Sequence, residues 1–157
     1  YPMLALFLFP ATMDKLPSGF AIQIPKIHAQ AHIVPNVDPW NGQAYDKALD
    51  SGVAQAAHTA LPDQKGIMFL FAHSSNLPWK MTRQNTAFFR LGELNKGDTI
   101  NVYYKSKKYI YIITGKKEVW PNDTKYLKNP KGDGIILQTC TPIGTSLKRL
   151  LVFAKKT

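Results

Sequence analysis

The feature that most constrains this chain is a succession of short β-rich runs cut by turn residues. Phe20-Ala-Ile-Gln-Ile-Pro-Lys-Ile27 alternates, and Ala31 to Val34, Thr99 to Tyr104, Lys108 to Thr114, Ile135 to Cys140 and Leu150 to Ala154 are further runs of strand character. Gly66-Ile-Met-Phe-Leu-Phe-Ala-His73 is continuously apolar with a polar tip. That is the pattern of a buried barrel strand that delivers one functional side chain to a rim. Turn chemistry separates the runs: Asn36 to Gly42, Gly97-Asp98, and Lys105-Ser106-Lys107, where a tight hairpin is expected. Pro25 inside the first run marks an edge or a bulge. Helical spacing is confined to short pieces. Gln43 to Leu49 stops at Gly52, Val53 to Ala60 reads as a helical turn ended by Pro62, and Asn85 to Leu94 suits a short helix. A further helical turn is expected near Asp123 to Leu127, inside a loop from Glu118 to Gly134. About eight strands with only short helices make a mostly-β barrel or sandwich.

The 157 residues, 45% of them apolar, amount to one domain with its own core. Tyr1-Pro-Met-Leu-Ala-Leu-Phe-Leu-Phe-Pro10 stands apart. It is shorter than the ~20 apolar residues that span a bilayer, and it lacks a basic leader. Residues 1–19 are therefore read as an apolar segment and linker, either the remnant of a truncated membrane anchor or a segment packed on the domain, with the balance toward the anchor, and 20–157 as the folded domain. The charge balance is basic, 20 Lys+Arg against 10 Asp+Glu. Nucleic acid, membrane surface and anionic cell-wall polymer all suit such a chain. Lys105, Lys107, Lys108, Lys116 and Lys117 flank strand-like runs, however, which reads as the solvated face of a sheet. With no Gly-flanked aromatic strand motif and no helix-turn-helix pattern, no nucleic-acid partner is expected.

A single cysteine, Cys140, excludes an internal disulfide and a Cys-rich zinc site. His28 and His32 lie four apart without carboxylates beside them, a poor metal site, so no metal is expected. A lone cysteine is more often a small buried hydrophobe than a nucleophile. A thiol becomes a nucleophile only as thiolate, which needs a neighbouring cation or base. Cys140 ends an apolar strand in Leu137-Gln-Thr-Cys-Thr-Pro142, His73 ends another, and Lys148-Arg149 opens a third. Three reactive types at three strand ends are what a rim active site requires, but spacing does not make those ends converge, and both readings of the cysteine stand at this point.

Leu137-Gln-Thr-Cys140 resembles the sortase signature Thr-Leu-x-Thr-Cys, with Ile136 where the first Thr usually stands. Thr141-Pro-Ile-Gly144 followed by Lys148-Arg-Leu-Leu-Val-Phe-Ala154 is similar to the pattern of class C and D sortases. Ile24-Pro-Lys-Ile27, Ala48-Leu-Asp-Ser-Gly-Val-Ala54, Thr59-Ala-Leu-Pro62 and Phe69-Leu-Phe-Ala-His-Ser74 fit the family's preceding segments in order. Asp38-Pro39-Trp40 looks like the lid of pilin-polymerising class C enzymes. That lid precedes the first core strand, whereas here the tripeptide follows it, so a turn is expected.

The resemblance implies an eight-stranded sortase-like β-barrel and a thiol peptidase that works as a transpeptidase. It would cleave a Leu-Pro-x-Thr-Gly (LPXTG-like) sorting signal of a surface protein and pass the acyl group to an amine, from peptidoglycan precursor or another acceptor. Cys140 would be the nucleophile, His73 the acid and base, and Arg149 the stabiliser of the developing oxyanion. Thr139, Thr141, Ser74 and Trp120 would contact substrate, with Trp120-Pro121 in the loop that roofs the pocket. No cofactor is implied, and the location is extracytoplasmic, at the membrane. The competing readings are a degenerate sortase fold that binds wall peptides or anionic polymer, and an L,D-transpeptidase, whose Ser-x-Gly-Cys pattern is missing because Gln138-Thr139 precedes Cys140.

Overall fold

The computed structural model describes residues 19–73, 88, 90–128, 132–141 and 148–157, with the side chains of Cys140 and Thr141 outside the description. Eight strands close into a barrel: β1 (Ala21–Ile24), β2 (Ala29–Val37), β3 (Val53–Ala56), β4 (Ile67–Phe71), β5 (Thr99–Tyr104), β6 (Lys107–Val119), β7 (Gly134–Thr141) and β8 (Lys148–Lys156). Their order around the barrel is β1-β2-β3-β4-β7-β8-β6-β5. The helices are short: α1 (Gly42–Ser51), α2 (Lys125–Lys128), and 3-10 turns at Pro25–Ile27 and Leu91–Glu93.

The first run splits where its proline stands. Pro25 lacks a backbone N–H, so the ladder stops at Ile24 and a 3-10 turn follows. His28, at φ 52°, then reverses the chain so that Ile24 pairs with Ala29 and Ala21 with His32. β2 slips register between Val34 and Val37 against β3. Buried Gln55 supports that irregularity: its Oε1 accepts the Asn36 N–H at 2.7 Å and its Nε2 donates to the Ala56 carbonyl at 2.7 Å and to Thr59 Oγ1 at 2.9 Å. The expected turn at Asp38-Pro39-Trp40 forms, with the Trp40 N–H on Asp38 Oδ1 at 2.9 Å. Asn41 then caps α1 by accepting the Ala44 N–H.

The helical turn expected from Val53 is a strand. Val53-Ala-Gln-Ala56 lies parallel to β2 and antiparallel to β4, with all four residues buried. A four-residue strand buried on both faces has no alternation to display, and its alanines favour helix only where nothing else decides. β6 runs to Val119, well past Thr114, with its register shift between Ile113 and Gly115. The β5–β6 hairpin turns on Lys105 and Ser106, both at positive φ, the two-residue geometry whose twist suits flanking strands. The helix expected at Asn85–Leu94 lies largely outside the described residues.

Strand parity divides the side chains into two sets. Met68, Leu70, Ile135, Leu137, Leu150 and Val152 fill the barrel interior with Ile22, Ile24, Ile100, Tyr111 and others. Their alternates Phe69, Phe71, Ile136 and Leu151 form a second cluster outside the barrel wall, with Ala48 and Leu49 of α1 and with Tyr126 and Leu127 of α2 packed against it. Burying Tyr111 raises its phenol pKa, because the charged form is desolvated.

Candidate active site

β4 and β7 pair in parallel from Ile67 with Gly134 to Phe71 with Gln138. The Ala72 N–H donates to the Gln138 carbonyl at 3.1 Å, carrying the ladder one step past the end of β4. Two residues on from the Phe71–Gln138 pair stand His73 and Cys140. On the other flank of β7, Cys140 pairs with Arg149 of β8. Arg149 is therefore the strand neighbour of Cys140, about 4.8 Å away between backbones, and His73 follows the end of the β4 segment that pairs with the other flank of β7.

Parity adds a second constraint. On β7, Ile136 and Gln138 belong to the set that faces out of the barrel. On β8, Arg149 precedes outward Leu151 by two and lines the same face, while His73 lies just past the end of β4. His73 and Arg149 are each partly buried.

A hollow of about 250 Å³ opens on this outer face. Its floor is Phe69, Phe71, Gln138, Leu151 and Arg149; Pro39, Trp40 and Tyr45 form one wall, and Pro121, Asp123, Thr124, Tyr126 and Leu127 the other. The floor aromatics are fixed by each other, Phe69 to Phe71 at 5.0 Å and Tyr45 edge-on to Phe71 at 5.3 Å between ring centroids. The lining mixes these aromatics with Asp123, Thr124, Gln138 and Arg149, so the hollow offers both apolar and polar contacts.

The remaining expected contacts fall in different places. Trp120 is 57% exposed at the rim, with Lys148 Nζ 4.8 Å above its ring, while its neighbour Pro121 lines the wall. Thr139 has the opposite parity: it is 4% exposed, and its Oγ1 is buried without a hydrogen-bond partner. Thr141 continues the β7–β8 ladder opposite Lys148. Ser74 lies outside the described residues. Trp40, Tyr45, Tyr126 and Gln138 line the hollow without having been foreseen. The signal for Gln138 was available, as the one polar residue in Ile135-Ile-Leu-Gln-Thr at the parity of Cys140. Trp40 was read only as a turn residue, although it is 64% exposed. Among the described residues no three His, Cys, Asp or Glu side chains gather as a metal site, and no helix is long and apolar enough to cross a membrane.

The chain matches the family model described as the Sortase domain over residues 22–157. It is 30% identical over 139 residues to Sortase D of Bacillus subtilis (strain 168), covering 86% of this chain and 62% of that protein. The chain thus spans about three-fifths of that curated relative. Sortase E1 from Streptomyces coelicolor, solved with a tripeptide in its active site, superposes with a TM-score of 0.72 at 28% identity over 88% of each chain. Sortase C1 of Streptococcus agalactiae gives a TM-score of 0.73 at 26% identity over 88% of this chain and 66% of that one. Sortases are transpeptidases that act on peptide sorting signals of surface proteins at the cell surface. With the closed eight-stranded barrel, the Cys140–Arg149 pair and a domain match across nearly the whole described chain, this protein belongs to the sortase family.

Proposed function

We propose that this chain is a cysteine transpeptidase that cleaves an LPXTG-like sorting signal between Thr and Gly and transfers the acyl part to an amine. The observation that supports the reading is the parallel pairing of β4 with β7, which ends two residues short of His73 and Cys140, together with the Cys140–Arg149 ladder pair. The Cys140 thiolate attacks the threonine carbonyl carbon, and the electron pair moves onto the oxygen. Arg149, next to Cys140 on the adjoining strand, offers N–H donors and positive charge to that oxyanion. Collapse breaks the C–N bond, His73 gives its proton to the departing amine, and a thioester to Cys140 remains. An incoming amine attacks the thioester, His73 takes a proton from it, and the thiolate is released as the new amide forms. The acceptor is a peptidoglycan-precursor amine or another amine of the cell surface. The apolar segment 1–19 would be the remnant of an anchor that holds the domain at the membrane outside the cytoplasm. No metal or organic cofactor enters these steps. Trp120 and Thr141 would bear on the substrate from the rim and the strand end, and Ser74 from beyond His73. Thr139, whose side chain is an interior group, would bear on the site only by holding the β7 backbone beside Cys140.

The test is cleavage of a quenched fluorescent Leu-Pro-x-Thr-Gly peptide with and without added amine, by the parent and by Cys140→Ala. Turnover by the parent alone, with amine-dependent ligation product, supports the reading. No turnover and no labelling of Cys140 by a peptide-based thiol trap would instead favour a non-catalytic wall-binding domain.

A further inference from the structure

A second, larger hollow of about 1010 Å³ lies on the same outer face, nearer the start of β7. Tyr126 lines both hollows. The floor also continues: Ile136 and Phe153 are the next residues of outward parity after Gln138 on β7 and Leu151 on β8. The two hollows therefore form one track, running from Cys140 toward Gly134. At the far end stand Lys125 and Lys155, both exposed, with Lys125 Nζ 5.1 Å from the Tyr126 ring centroid. The acid there, Asp133, lies 3.8 Å from Lys156 Nζ, so the rim is left with a positive balance.

We propose that this hollow binds the stretch of substrate polypeptide immediately N-terminal to the recognition signal, taking an apolar side chain with an acidic residue beside it. The inference rests on the transpeptidase reading. Ile136 is four residues from Cys140, about 13 Å along an extended strand. An extended substrate spends about four residues covering that distance, so the fifth and sixth residues before the scissile bond reach the floor of Ile136 and Phe153. The two-step reaction selects this side of the substrate. The acyl part stays on the enzyme through both steps, whereas the leaving side must vacate its place for the acceptor. A long track serves the part that is retained, because contacts along it hold the thioester in place while the amines exchange. The chemistry of the partner follows from apolar Ile136, Phe153 and Tyr126 below and two lysines at the rim.

Two peptides with the same recognition signal test the proposal: one acetylated directly before it, the other extended upstream by four residues that include Leu and Glu. The extended peptide is expected to show a KM about tenfold lower with kcat unchanged, the signature of binding that is uniform along the reaction. In the Lys125→Glu/Lys155→Glu double variant that advantage disappears, while the KM of the capped peptide does not follow. A benzophenone at the fifth or sixth upstream residue should crosslink the Cys140→Ala protein at Ile136 or Phe153, a readout that needs no turnover. Equal KM values for the two peptides, or crosslinks elsewhere on the barrel, would overturn the inference. If the parent turns over neither peptide, the transpeptidase reading fails, and crosslinking alone then decides whether the hollow holds a peptide.

Discussion

Three glycines set up a measurement in which one methyl group has three different costs. A Cβ added at Gly134 would press into the Ala154 carbonyl oxygen and stand 3.2 Å from both the Ala154 carbonyl carbon and Lys155 Cα. These are backbone atoms of the paired strand, since Gly134 faces Lys155 in the β7–β8 ladder. No side chain can swing aside, so the strands themselves must part. Overpacking of a well-packed site costs about 1–3 kcal/mol, and loosening one ladder hydrogen bond adds about 1 kcal/mol. Gly134→Ala should therefore cost about 2–4 kcal/mol, a large part of a typical domain's ~5–15 kcal/mol. Gly132 has room, its nearest neighbour being Ile67 Cδ1 at 4.0 Å, but it sits at φ +105°. Alanine there meets backbone strain alone, about 1 kcal/mol. Gly115 has neither obstacle, with nothing within 4 Å and no positive φ, so Gly115→Ala should lie within about 0.5 kcal/mol of the parent. Urea unfolding followed by tryptophan fluorescence gives all three midpoints, and the slopes should be alike. A Gly134→Ala midpoint equal to that of Gly115→Ala would refute the claimed close approach of β7 to β8.

Other outcomes follow from single contacts. Arg149→Lys keeps the charge but loses the planar fork; peptide turnover should fall about 10²–10³-fold, with circular dichroism unchanged. Gln55→Leu removes the acceptor of the Asn36 N–H in a buried setting and should cost about 2–3 kcal/mol in the same urea assay. The Asn95 N–H, first, and the Lys26 ammonium, second, hold the Asp98 carboxyl below its ordinary 3.8. A lowered carboxylate contributes stability above its unfolded pKa and loses it as pH falls through the folded one. Parent stability should therefore decline below about pH 4 by an increment that Asp98→Asn lacks, the variant being weaker at neutral pH by about 1 kcal/mol or less, because the site is largely solvated.

Strand character was legible wherever a run was long enough to alternate or to stay apolar through five residues or more, as from Ile67 to Phe71 and from Thr99 to Tyr104. It failed at Val53–Ala56, where position between β2 and β4, and not local preference, makes the strand. Pro25 reads in the sequence as an edge or a bulge within one strand, whereas the strand ends at Ile24 and a 3-10 turn follows; the sequence does not distinguish the two. The residues proposed for catalysis were picked out by type and by the family signature. The neighbourhood of their strands was not legible, because it depends on the parallel pairing of β4 with β7, segments separated by the whole β5–β6 hairpin. The groove walls were less visible still. Trp40 and Tyr45 enter from the β2–α1 side and Tyr126 from α2, and no spacing rule ties those positions to Cys140.

The strand order has a consequence for when the chain becomes reactive. β1 to β4 come from the first part of the sequence and β5 to β8 from the second, and as strand neighbours the two groups join where β1 meets β5 and where β4 meets β7. Cys140 and Arg149 belong to one group and are ladder partners within it, so they can meet as soon as that group forms. His73 belongs to the other group. Pairings between segments far apart in sequence form late, because their loop-closure entropy is paid before the contacts reward it. A chain still folding thus has the Cys140–Arg149 ladder pair before His73 is brought to the same end of the barrel. Under the proposed mechanism, acyl transfer would wait for the barrel to shut.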